Sequence, residues 1–181
     1  MKILEIPRVE KKSVLVNYAE PEAIAKAIEA IRLGPANQPM YFPTYFGIPP
    51  EQIPLVGSGQ ALRAVYEVRF DRVVDVHDLP QALLGKGREL GIGELAFADP
   101  LTTLRFCAET LGCVRDCPLV TNFFDVGGQL WSLVIGQVVR DGKVGARYLC
   151  VDRVEPDDAE MDEYDPERGW EEDTSFLAVV R

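Results

Sequence analysis

Residues 129–154 read QLWSLVIGQVVRDGKVGARYLCVDRV. Two long runs rich in β-branched and aromatic residues flank Asp141-Gly142, a dipeptide that accepts the positive φ angles of a two-residue hairpin turn. The spacing predicts strands over Gln129–Arg140 and Lys143–Val154. A two-residue loop sets Arg140 against Lys143, and so Leu133 against Cys150 and Ile135 against Tyr148. On that register Leu133, Ile135, Val139, Val144, Ala146, Tyr148 and Cys150 share one face, which is expected to be core.

Upstream, Leu119–Phe124 adds a strand after Pro118, with Gly127-Gly128 as a turn before Gln129. Downstream, Ser175–Val180 reads as a closing strand. Earlier, Leu62, Ala64, Tyr66, Val68 and Phe70 alternate with Arg63, Glu67, Arg69 and Asp71, the pattern of a half-buried strand over Leu62–Asp71. Ile3–Val16 reads as two short strands, or one interrupted at Glu10-Lys11-Lys12-Ser13. Within the Pro-, Gly- and aromatic-rich stretch 35–61, a short strand falls near 40–46. Its Met40, Tyr41, Phe42, Tyr45 and Phe46 suit a cap on the core better than a ligand pocket.

Three helices complete the reading. Pro21 precedes Ile24, Ala27, Ile28 and Ile31 at helical spacing, and Gly34 ends that segment. Asp78 and Pro80 open a second helix that runs out among Gly85, Gly87, Gly91 and Gly93. Asp99-Pro100 opens the third, with Leu101, Leu104, Cys107, Ala108 and Leu111 on one face and Gly112 as its stop. The expected spans are 21–33, 79–90 and 100–111. The sum is an α+β domain: three helices on a mostly antiparallel sheet of five or six strands, ending in a C-terminal β-meander. Residues 1–181 are expected to form one globular domain, with an acidic loop at 155–174 before the closing strand.

Charge is distributed unevenly. The chain has 29 acidic and 19 basic residues and a formal net charge of −10. Eleven of those acids and one base, Arg168, lie between Glu155 and Asp173, so the rest of the chain holds 18 of each sign. A basic nucleic-acid footprint is missing, and composition argues against direct nucleic-acid binding. The N-terminus becomes charged too early for a signal-peptide core, and the uncharged stretch from Leu33 to Pro50 contains five prolines. A cytoplasmic chain with no membrane segment is therefore expected.

Motifs for chemistry are sparse. Cys107, Cys113, Cys117 and Cys150 match neither a zinc ribbon nor a redox C-x-x-C. Cys107 and Cys150 fit as small core hydrophobes, while Cys113 and Cys117 flank Arg115-Asp116 in a loop where reduced thiols are expected. His77 is the single histidine and stands at a helix entry. Gly57-Ser58-Gly59 precedes a strand rather than a helix, so it reads as a turn and not a phosphate cradle. No cofactor is expected.

The stretch from Tyr66 to Val76, the Thr-Leu-containing helix after it and the strand near Leu119-Val120-Thr121 resemble, in rhythm, the later half of RES-type NAD-consuming toxin domains. The resemblance covers about half the chain and implies an NAD-cleaving or ADP-ribosyl-transferring enzyme. Thr121 would stand where that family has serine, and its upstream Arg and Glu have no counterpart here, so no catalytic residue is carried over.

The leading functional expectation comes from the acidic segment, which interleaves Met161, Tyr164 and Trp170 with its charges. Aromatics in a charged strip make good anchors for protein contacts. Asp162, Glu163, Tyr164, Asp165, Trp170, Glu171, Glu172 and Asp173 are the candidate partner-binding residues. They point to a non-enzymatic inhibitor or accessory subunit that meets a protein with a basic surface. The NAD-cleaving enzyme and a Cys-bound metal module are the alternatives.

Overall fold

The two turns expected around residues 127–128 and 141–142 set the long strands of the sheet. Val126 faces Gln129 and Arg140 faces Lys143, so each loop has two residues. Gly127, Gly128, Asp141 and Gly142 have φ of 61°, 81°, 52° and 73°. These positive pairs match the right-handed twist of the flanking strands. The computed structural model describes residues 9–33, 42, 44–70, 74–110, 119–154 and 174–181.

The elements in chain order are β1 (Val9–Asn17), α1 (Ala23–Leu33), β2 (Thr44–Phe46), β3 (Gln60–Val68), α2 (Leu79–Glu89), β4 (Leu95–Phe97), α3 (Pro100–Glu109), β5 (Leu119–Val126), β6 (Gln129–Arg140), β7 (Lys143–Arg153) and β8 (Thr174–Val180). The strands form one sheet ordered β1-β3-β8-β5-β6-β7-β2, with β4 also paired to β8. The α+β class and the three helices match the sequence reading. The sheet differs in having eight strands among the described residues and mixed pairing, since β5 runs parallel to β8 and β2 parallel to β7. The strands beyond the expected number include β4, whose three residues are too few to show a period.

The meander β5-β6-β7 forms as expected, but β8 does not close an edge. It enters the middle of the sheet, between β3 and β5. Residues 174–178 are all buried, so both faces of β8 are covered. β1 is one uninterrupted strand, and Lys11 and Lys12 project to opposite faces where they cost little. Lys12 Nζ lies 5.8 Å from the centroid of the Phe106 ring and Lys11 Nζ 6.0 Å from that of Tyr66.

One face of the sheet carries α1, α3 and a short turn of helix at Pro50–Gln52. There Val14, Val16, Val65, Val120, Leu133, Ile135, Leu149, Val151 and Leu177 pack against Ile24, Ala27, Ile31, Leu101 and Leu104. The second face is covered by α2 only over β3, β8 and β5, where Leu79 and Leu83 meet Val68, Phe123, Phe176 and Ala178. α2 lies close to β4: a Cβ on Gly87 would come within 2.3 Å of Gly93 O, so only glycine fits there.

Two register expectations are corrected. Val139 faces Val144, but Val138 faces Ala146, which leaves Gly145 as an extra residue, a β-bulge on β7. Beyond it, Leu133 faces Val151 and Ile135 faces Leu149, while Tyr148 and Cys150 turn to the second face opposite Gly136 and Val134. One inserted residue flips every later side chain. β3 is not one-sided either. Val65 and Val68, on opposite faces, are fully buried, whereas Leu62 is 71% exposed. α1 and α3 cover the Val65 face, and α2 reaches the Val68 end but not Leu62.

Candidate functional site

Polar side chains gather at three places in the described residues. The first forms at the start of α3. Asp99 takes an extended backbone before Pro100 and caps the helix, its Oδ1 accepting from Thr102 N at 3.1 Å. Its Oδ2 accepts from the Tyr18 hydroxyl at 2.7 Å and from the Thr102 hydroxyl at 2.6 Å. Gly57 lies against the Tyr18 ring, where a Cβ would come to 2.7 Å, and the Arg63 guanidinium stands 5.7 Å from the ring centroid. Burial pushes the Tyr18 hydroxyl above its ordinary pKa. Asp99 adds to the shift, and Thr102 and Arg63 work against it. The phenol therefore stays a donor, and it ties the end of β1 to α3.

The second place is the junction of β5 and β8. Their parallel pairing covers Leu119 with Thr174 and Val120 with Ser175. Two residues further on, the Asn122 carboxamide acts in place of a strand backbone. Its Oδ1 accepts from Leu177 N at 3.1 Å, and its Nδ2 lies 3.1 Å from Leu177 O, 3.1 Å from Ala98 O and 2.8 Å from Thr103 Oγ1. Thr103 Oγ1 in turn donates to Asp99 O at 3.0 Å. The first two places are thus one network running from β1 through the α3 cap to the centre of the sheet.

The third place is the second face of β5, β6 and β7, beyond the reach of α2. The Tyr148 ring lies across β6, within 2.1 Å of where a Gly136 Cβ would stand, so glycine leaves room for it. Cys150 is the next residue on this face of β7. Thr121 on β5 and Thr174 on β8 are buried there, and neither hydroxyl has a hydrogen-bond partner among the described residues. Burial raises the Tyr148 hydroxyl pKa, with Cys150 adding to it, and burial raises the Cys150 thiol, with Asp152 adding. A thiol shifted in that direction is a poor nucleophile near neutral pH. The surface offers neutral hydrogen-bonding groups rather than an activated one.

Arg147 stands apart on the helix-covered face. It is 2% exposed, and burial lowers its pKa, partly offset by nearby Cys107. Cys107, on α3 over the first face, and Cys150, on the second, lie on opposite sides of the sheet. They do not share the metal site weighed from sequence. Among the described residues no group of three or more His, Cys, Asp and Glu side chains could hold a metal ion. Among them, too, no helix is long and apolar enough to cross a membrane.

Asp162, Glu163, Tyr164, Asp165, Trp170, Glu171, Glu172 and Asp173 lie outside the described residues, as do Cys113, Cys117, Met40 and Tyr41. His77 is exposed, its backbone N–H donating to Asp75 Oδ1 at 2.8 Å. Asp78 holds the helix-entry position but makes no side-chain cap, so Asp75 takes part of that role. Sequence reading missed Asn122, Thr174 and Arg147, and weighed Thr121 only as the counterpart of a serine in the family the chain resembles. For Asn122 and Arg147 the available signal was a polar residue set among apolar neighbours in LVTNFFDV and ARYLCV. Comparison with protein-family models, curated proteins and solved structures finds no match for this chain.

Proposed function

We propose that this chain is a non-enzymatic interaction domain, an inhibitor or accessory subunit, that offers its acidic, aromatic-bearing segment to a basic surface on a partner protein. The observation that carries this reading is the placement of charge: eleven acids against one base between Glu155 and Asp173, in a chain otherwise balanced at 18 of each sign. The fold supports it by the mounting of that segment. It leaves β7, where Val154 N donates to Leu130 O at 2.9 Å, and re-enters at β8, the buried central strand. Binding residues carried on connections between rigid strands are a common way for a scaffold to present a contact surface. The polar groups of the Tyr18–Asp99–Asn122 network are meanwhile occupied in joining strands and helix.

The test is retention of a partner from native lysate by wild type and by a variant with Asp162→Asn, Glu163→Gln, Glu171→Gln and Glu172→Gln. Wild type retains a basic protein that the variant loses, and retention weakens as salt rises, because exposed charges are screened over about 8 Å at physiological ionic strength. Equal retention by both chains would remove the acidic segment from the reading.

A further inference from the structure

Among the described residues the two ends of the strand order are unlike, and β4, off that order, has three residues. β2, at one end, has three residues, and β1, at the other, has nine. Short edge strands give a neighbour little to pair with, whereas a long one presents a row of backbone donors and acceptors. The ladder says which groups these are. Tyr18 N donates to Gly59 O at 2.8 Å, continuing the β1–β3 register in which Val16 faces Ala61 and Val14 faces Arg63. Antiparallel pairs alternate, so Val16, Val14 and Lys12 turn their N–H and C=O toward β3, and Leu15, Ser13 and Lys11 turn theirs off the edge of the sheet. Among the described residues no strand pairs with that side of β1.

The side chains of the outward-facing residues point to the second face, and all three are exposed. Leu15 is 52% exposed and directly faces Leu62, itself 71% exposed. Leu55 and Val56, in the segment leading into β3, are exposed as well. An apolar pair of this kind on a long edge marks an interaction site rather than a solvated one.

We propose that β1 is the interface between two copies of this chain, paired antiparallel about a twofold axis at Ser13. In that register Ser13 meets Ser13 of the second copy, and Lys11 faces the second copy's Leu15 twice over. The aliphatic stem of the lysine covers the leucine while its ammonium stays in water. Lys12 faces the second copy's Val14. No like charges stand directly opposite. An axis at Lys11 or Lys12 would set two lysines against each other, and an axis at Val14 or Leu15 would leave more of each strand unpaired than one at Ser13, which pairs all nine residues of β1. The Lys11-Lys12 pair and the length of β1 together select one register, and the twofold closes the assembly at two copies. The three-residue edge at β2 gives no purchase for further growth.

This pairing does not depend on the acidic segment, and the two answer oppositely to salt. With a net charge of −10 on each copy, self-association strengthens as salt screens the repulsion. Binding to a basic partner weakens. The contact is at the small end for a specific interface, below about 1,200 Å² in total, so the dimer is reversible.

Sedimentation equilibrium of the full chain at moderate salt, from about 1 to 200 μM, tests this, since micromolar dissociation corresponds to roughly 8 kcal/mol of association. Wild type shows a monomer–dimer equilibrium. Ser13→Pro removes an outward N–H and spares the β1–β3 ladder, and Leu15→Lys sets a lysine against Lys11. Each weakens association at least about tenfold with an unchanged urea midpoint, and Leu15→Lys decides the matter if Ser13→Pro fails to fold. A wild type that stays monomeric throughout, or a dimer that neither substitution weakens, would overturn the proposal.

Discussion

Replacing Asn122 tests whether its carboxamide holds β5 and β8 together. Asn122→Ala removes the acceptor for Leu177 N and a donor to Ala98 O and Leu177 O. Leu177 O keeps one partner, since Ala98 N donates to it at 2.9 Å, so the Leu177 N–H and the Ala98 carbonyl bear most of the loss. A buried donor left unpaired costs about 1–3 kcal/mol, and the emptied volume adds about 1–2 kcal/mol. The expected loss is therefore about 2–5 kcal/mol, against a total stability of about 5–15 kcal/mol for a domain. In urea, with a slope of about 1–3 kcal/mol/M, the midpoint falls by roughly 2 M. Asn122→Asp is the sharper comparison because its shape is the same. It replaces a donor facing two carbonyls with an acceptor, so the fold holds this carboxyl protonated and raises its pKa above the unfolded value. A group raised in this way favours the fold below its unfolded pKa and loses that contribution as pH rises. At neutral pH the Asp variant is thus at least as unstable as Ala, and it recovers toward wild type on acidification. A loss below about 1 kcal/mol in both variants would refute the clamp.

Two further outcomes follow from the geometry. Gly136→Ala forces a Cβ to 2.1 Å from the Tyr148 ring and costs about 1–3 kcal/mol, while the double variant with Tyr148→Ala loses clearly less than the sum of the two single changes; strict additivity in urea unfolding would show that the ring does not occupy that space. Tyr18, Tyr148 and Cys150 all have raised pKa values in the fold, chiefly through burial. Each favours the fold below its unfolded pKa, about 8.5 for the thiol and 10 for the phenols, and withdraws that contribution as pH climbs. The thermal midpoint therefore declines on the alkaline side, less steeply in Tyr18→Phe, and a midpoint level to about pH 11 would contradict the burial of these groups.

Local chemistry made much of this fold legible. The Asp141-Gly142 and Gly127-Gly128 turns, the Asp99-Pro100 cap and the apolar stripe of α1 each depend on neighbours within a few positions, and each appears where the sequence puts it. What escaped depends on distant partners. The bulge at Gly145 follows no motif that a two-residue loop does not equally satisfy, yet it decides that Arg147 and not Tyr148 turns toward α3. The exposure of Leu62 reflects where α2 stops, which alternation along β3 cannot report. Asn122 looks like a misplaced polar residue until Leu177, 55 positions later, arrives beside it.

The placement of β8 explains why the closing strand was the hardest element to position. Residues 174–180 read TSFLAVV, with no alternation between apolar and polar positions. A strand at an edge or with one wet face needs such alternation, and a strand buried on both faces does not. The uniform run is therefore the mark of a central strand, although periodicity alone cannot tell which neighbours it takes. Within the sheet β3 does not pair with β5, so β8 joins the β1–β3 ribbon to the β5-β6-β7 meander. Its parallel pairing with β5 lasts only two positions, and from there Asn122 continues the contact by side chain. Beyond those two positions the contact between β5 and β8 passes through one carboxamide where a backbone ladder would ordinarily run, which is why a single polar residue in β5 can have so large a share of the fold's stability.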